Sequence, residues 1–270
     1  MLHHYRRRRA ELVLWEPIDA DASGAVFHAR LLLADDDKRR CVVKLPPMMR
    51  SIKCPVRVSK RLLAGAPDAL LLEARNAQRA LDAPEARVRD DAEDERAEWQ
   101  SQPGYTHLHP VVGFRDGVLL VSQGADGTIA ELAERFDPRT SPGPVWMRVA
   151  WQLSEAVTFL FETARLAHVN IRPKHVLFVR DGPSRRSPHV WLSDYSALVD
   201  ADAASEQRSL VTYYETLRDL FRFYEEVDEQ HPVAQMVLQP LSSAPELSAH
   251  FYDRLRPWLK QTLEAGLSPI

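Results

Sequence analysis

The chain has 270 residues, 45% apolar and 27% charged, enough to bury a full core in one large domain or two small ones. Its 35 Lys and Arg against 38 Asp and Glu leave a net charge of −3, which argues against a dedicated nucleic-acid or other polyanion-binding surface. Two cysteines without a CxxC pair argue against a disulfide or structural zinc site, and no run approaches the ~18 apolar residues of a membrane-spanning helix.

The basic run Arg6–Arg9 reads as a solvated arm, and the N-terminal stretch lacks the apolar core of a signal peptide. Strands are expected over 11–18 and 24–33, separated by the turn Asp19–Gly24. A third strand through Cys41–Leu45 follows the polar turn Asp35–Arg40, and tight turns between successive strands imply an antiparallel meander. From Ala69 the pattern turns helical, with Leu71, Leu72, Ala74, Arg75, Ala77, Gln78 and Leu81 expected on one apolar face. The stretch 84–104 is dense in charge of both signs and reads as a solvated insertion.

Strands 109–114 and 117–122 come next, linked by a turn at Arg115–Gly117, then a connector Gln123–Gly127 and a short helix through Ile129, Leu132 and Phe136. Pro142-Gly-Pro144 opens a helix in which Val145, Val149, Leu153, Val157, Leu160 and Phe161 recur at three and four residues. It is expected to be the longest and to be buried. Val176–Val179 and His189–Leu192 form a hairpin pattern, and the chain is helical again from Ala203. Five strands with one helix, followed by a helical half carrying a hairpin, is an α+β layout dividing into 1–123 and 124–270.

The segment His168-Val-Asn-Ile-Arg-Pro-Lys-His-Val-Leu-Phe178 resembles the catalytic loop HRDIKPxNVLL of protein kinases, and Leu192-Ser-Asp-Tyr-Ser196 resembles their metal-binding LSDFG element. Cys41-Val-Val-Lys44 is similar to the VAIK strand, and Glu73 to the helix Glu that orients its Lys. The chain is identified on these motifs as a protein-kinase-like member, and the resemblance covers roughly residues 10 to 230. It implies a bilobal fold: a five-stranded antiparallel N-terminal lobe with one helix, carrying the 84–104 insertion, and a mostly helical, shortened C-terminal lobe. It also implies ATP and Mg²⁺ as cofactors. Lys44 would hold nucleotide phosphates, Glu73 would orient Lys44, and Asp194 and His175 stand at the metal positions. Gly24, Val26, Val42 and Leu177 fall among the nucleotide contacts.

The departures from the family pattern carry as much chemistry as the matches. The position of the catalytic Asp is Asn170, an amide with no basic site near neutral pH. The downstream Asn becomes His175, a poor ligand for a hard, oxygen-preferring cation. Aligned on Gly24 and Val26, two glycines of the phosphate-cradling loop become Asp19 and Asp21, whose carboxylates would repel a triphosphate. About ten residues separate Tyr195 from the next expected helix, and no Ala-Pro-Glu element follows.

The expected function is therefore a pseudokinase, a protein-binding or scaffold module with weak or absent ATP binding. The alternative is an active atypical phosphotransferase for protein or sugar substrates, using Lys44 and Asp194. His168 is expected to pack structurally with Tyr195. His107 and His109 are assigned to strand-end packing, and Tyr213, Tyr214, Phe221, Phe223 and Tyr224 to the helix core. Abundant Ala and Arg with few Lys suit a bacterial source, acting in the cytoplasm or as a secreted effector, with a protein partner, no nucleic acid and no membrane span.

Overall fold

The computed structural model describes residues 11–20, 25–32, 38–45, 51, 53–57, 68–87, 103–115, 119–135, 143–179, 188–227, 232–238 and 244–265. Two compact units emerge: Met1–Leu81 with His109–Ala125, and Asp82–Leu108 with Asp126–Ile270. No helix among the described residues is long and apolar enough to cross a membrane.

The first unit is built on one sheet of β1 (Glu11–Ala20), β2 (Ala25–Leu32), β3 (Lys38–Leu45), β4 (Val56–Arg57), β5 (Val111–Arg115) and β6 (Leu119–Gln123). Their order is β4-β1-β2-β3-β6-β5, and every neighbouring pair is antiparallel. The sheet thus has six strands where five are expected from sequence. The extra one is two residues long, too short to carry the two-residue alternation by which a strand is recognised. Lys38–Arg40, assigned to a turn from their polarity, belong to β3.

Alternation sets the core face of this sheet. Ala25, Phe27 and Ala29 on β2 are buried and stand directly opposite Leu45, Val43 and Cys41 on β3, which are buried too. On β1 the pairing slips at Trp15 and again at Ile18, so each is the extra residue of a bulge flanking Pro17. The first bulge leaves Trp15 53% exposed, with the Arg30 guanidinium 4.6 Å above its ring.

Helix α1 (Asp68–Arg87) opens with an acidic residue in its first turn, as the helix dipole favours. Its buried face is Leu70, Glu73, Ala74, Ala77 and Ala80, whereas Leu72 is 49% exposed. The face expected from Leu71 and Leu72 is therefore rotated, because a carboxylate occupies one of the inward positions. Of the charged stretch 84–104, residues 88–102 lie outside the described residues, and 84–87 continue α1.

The second unit holds the helices α2 (Ile129–Arg135), α3 (Gly143–Phe159), α4 (Ala203–Val227), α5 (Ala244–Ala249) and α6 (Arg256–Glu264). A π-helical turn, Leu160–Ala164, extends α3, and another, His250–Leu255, joins α5 to α6. The longest described helix is α4, with 25 residues against 17 in α3, contrary to expectation. Nothing between Ala203 and Val227 is Gly or Pro, so the pattern Leu210, Tyr213, Leu217, Phe221 runs unbroken. Tyr213 bridges the two helices by donating its buried hydroxyl to the Ala150 carbonyl of α3 at 3.0 Å.

Two small sheets complete the unit. β9 (Val176–Val179) and β10 (His189–Leu192) form the expected hairpin, with β7 (Gly127–Thr128) added beside β9. β8 (Leu166–His168) pairs antiparallel with β11 (Leu198–Asp200), an association not anticipated from sequence. A helical turn at Pro103–Thr106 presses onto α3 so closely that a Cβ on Gly104 would lie 2.3 Å from the Glu155 carbonyl oxygen.

Candidate functional site

In the first unit the lysine of β3 is the central group. Lys44 and Val42 project from the same half-buried face of β3, opposite the core residues Cys41, Val43 and Leu45. Val26 lies directly across from Lys44 on β2, so Val26, Val42 and Lys44 share one face. The ammonium of Lys44 is 2.8 Å from the Glu73 carboxylate, with 14% of the Lys44 side chain and 5% of the Glu73 side chain exposed. Two charges removed from water to this degree are held there only when paired, which is why α1 turns Glu73 inward. Asp19 pairs through its backbone with Val26, while Asp21 and Gly24 lie outside the described residues.

In the second unit the loop from His168 to His175 is stitched to the segment after β10 by a continuous set of hydrogen bonds. His168 is buried. Its Nε2–H donates to the Ser193 carbonyl at 2.8 Å, and its Nδ1 accepts the Asn170 backbone N–H at 3.4 Å. This arrangement requires the neutral imidazole, and burial lowers the His168 pKa in the same sense. Ser193 in turn donates both its N–H (2.9 Å) and its hydroxyl (2.7 Å) to the His175 carbonyl. Val169 N–H reaches the Ala197 carbonyl at 3.0 Å.

From the other side, Thr212 and Thr216 of α4 hold the loop. Thr212 Oγ accepts the Ile171 N–H at 3.1 Å, and Thr216 Oγ–H donates to the Ile171 carbonyl at 2.9 Å. Arg172 forms an exposed ion pair with Glu215 at 2.9 Å. Tyr195, like His168, is buried. Of these residues Ser193, Thr212, Thr216 and Glu215 were missed by sequence reasoning. Ser193 sits inside a recognised motif, but nothing in the spacing of the threonines marks them.

Asn170 contributes to this frame only through its backbone: the N–H to His168, and the C=O accepting His175 Nδ1–H at 2.9 Å. Because a carbonyl can only accept, His175 Nδ1 carries its proton. The same Nδ1 stands 3.5 Å from Asp194 Oδ2. Asp194 has the left-handed conformation φ 64°, ψ 61°, which short polar residues tolerate best after Gly. Its other oxygen, Oδ1, accepts the Ser196 hydroxyl at 2.5 Å.

Two magnesium ligands are what the kinase pattern asks of Asp194 and His175, and the donor set suits that poorly. The His175 atom facing Asp194 is a protonated nitrogen with no lone pair to give. Among the described residues no three or more His, Cys, Asp or Glu side chains converge as a metal site. Leu177 is half-buried on β9, paired with Trp191 and Thr128.

His107 packs its ring on His189 with centroids 4.8 Å apart and shares a hydrogen bond with the Val190 carbonyl, and His109 is buried. Tyr213, Tyr214 and Phe221 are buried; the side chains of Phe223 and Tyr224 lie outside the described set.

No protein-family model matches the chain, and no curated protein matches its sequence. Among solved structures it is similar to vaccinia related kinase 3, with a TM-score of 0.59 over 96% of this chain and 89% of that one, at 13% sequence identity. The chain has a protein-kinase-like fold.

Proposed function

We propose that this protein is a pseudokinase, a module that uses a kinase-like fold to dock a protein partner and binds ATP weakly or not at all. The observation that carries the reading is the loop at Asn170. Its hydrogen-bonded frame through His168, Ser193 and His175 is complete, yet the position that should accept a substrate proton is an amide. Losing a general base alone typically slows a reaction about 10²–10⁴-fold. The segment after Asp194 supports the same reading: a turn at Tyr195–Ala197 leads straight into β11, and α4 begins at Ala203. That leaves no length for a peptide-substrate platform.

The second reading, an active atypical phosphotransferase, is favoured by the Lys44–Glu73 pair, the arrangement that aims a cation at phosphate oxygens. Transfer of labelled γ-phosphate from ATP, to protein substrates or to the chain itself, separates the two. The pseudokinase reading expects background transfer; transfer that Lys44→Ala and Asp194→Ala both abolish overturns it. Nucleotide-dependent gain in thermal stability, measured within each variant, tells whether the phosphate-facing half still binds.

A further inference from the structure

We propose that the Asp194 carboxylate is capped from within the chain by the hydroxyl of Ser196, with the neighbouring His175 offering no co-ligand, and that it therefore takes no divalent cation. This deepens the pseudokinase reading and rests on the kinase-like assignment of Asp194. The kinase pattern has Gly where Ser196 stands, so the residue that caps Oδ1 is itself a departure from that pattern.

Three features of the geometry support it. Ser196 Oγ lies 2.5 Å from Asp194 Oδ1, a distance typical of a charge-assisted O–H···O⁻ bond, the stronger kind. His175 Nδ1 stands 3.5 Å from Oδ2 with its hydrogen committed to the Asn170 carbonyl at 2.9 Å, so it offers no lone pair to an ion held by that carboxylate. Asp194 itself is held in the left-handed region beside the short turn Tyr195–Ala197, whose Ala197 N–H donates to the Asp194 carbonyl at 3.1 Å. The carboxylate has little freedom to swing away from the Ser196 hydroxyl. A cation would have to break the Ser196 hydrogen bond to Oδ1 and would find no lone pair on the His175 nitrogen beside Oδ2.

The test uses the full chain and Mn²⁺ alone, followed by loss of the free-ion signal in electron paramagnetic resonance. Wild type is expected to bind no Mn²⁺ at Asp194 up to millimolar concentration. Ser196→Gly, which restores the kinase residue, and Ser196→Ala, which removes only the hydroxyl, are expected to bind at least about tenfold more tightly than wild type. Adding Asp194→Ala to either should abolish the gain. Wild-type Mn²⁺ binding that Asp194→Ala removes would overturn the proposal, and so would Ser196 variants that bind no better than wild type. No nucleotide enters this titration, so its failure leaves the pseudokinase reading standing, while γ-phosphate transfer would sink that reading on its own.

Discussion

Replacing Lys44 by Met should strand the Glu73 carboxylate, and the structure sets the size of the penalty. Glu73 is 4% exposed, and its charge partner sits at 2.8 Å. Removing one member of a fully buried pair costs about 3–5 kcal/mol. The Lys44 side chain keeps 14% of its surface in solvent, so water can partly replace it, and about 2–3 kcal/mol is expected. Because the two units need not unfold together, the readout should be local. Native-state hydrogen exchange of peptides from β2, β3 and α1 should speed up about 30- to 150-fold in Lys44→Met. The double variant Lys44→Met/Glu73→Leu replaces both charges by apolar groups and should recover most of the protection, since a buried ion pair is often no better than a packed apolar one. Additive losses in the double variant, or unchanged exchange in Lys44→Met, would refute the pairing as the reason Glu73 faces inward.

Acid should destabilise the second unit through His107. Burial first, and the neighbouring His189 second, lower its pKa to about 4. The unfolded chain then binds the proton first, so the stability is fully present above about pH 6.5 and is lost as pH falls toward 4, by up to about 3 kcal/mol. Melting temperature against pH should show a shallower acid limb in His107→Phe. Tyr214→Phe removes the donor that lies 2.7 Å from His250 Nδ1 in a buried contact, and calorimetry should register about 1–2 kcal/mol lost. Gly104→Ala sets a methyl group 2.3 Å from the Glu155 carbonyl oxygen and should cost about 1–3 kcal/mol in the same assay. Asn170→Asp alone should leave γ-phosphate transfer at background, because Asp194 stays capped; transfer restored by that single change would contradict the cap.

Much of the fold is legible along the chain because its strands alternate and its long helices repeat at three and four residues. Phe27, Val43 and Leu45 lie on such alternating strands and are core. What escapes is structure without a period: the two-residue strand β4, the three-residue pair β8 and β11, and the bulges around Pro17. The face of α1 is misjudged for a different reason. Hydropathy puts Leu72 inside, whereas the ion pair with Lys44, expected from the likeness to the kinase helix Glu, turns the Glu73 carboxylate in and leaves Leu72 exposed. At the loop the motif names His168, Asn170, His175 and Asp194, which the structure joins through backbone and ring contacts. It is silent on Ser196, whose hydroxyl acts only because of the left-handed backbone two residues earlier.

The backbone also carries most of what makes this loop recognisable as a motif. The frame that holds the loop uses the imidazole of His168, the backbone and hydroxyl of Ser193, and from Asn170 nothing but its N–H and C=O. Every residue but proline supplies those two groups, so an amide in place of a carboxylate here leaves every bond of the frame intact. Asp194 is constrained in the opposite way. Its φ of 64° is one that Gly, Asn and Asp adopt most readily, and of these only Asp gives the Ser196 hydroxyl a charged acceptor. Conformation and the Ser196 hydrogen bond are both served by an Asp at this position, and the likeness of this segment to a kinase loop includes how the loop is held.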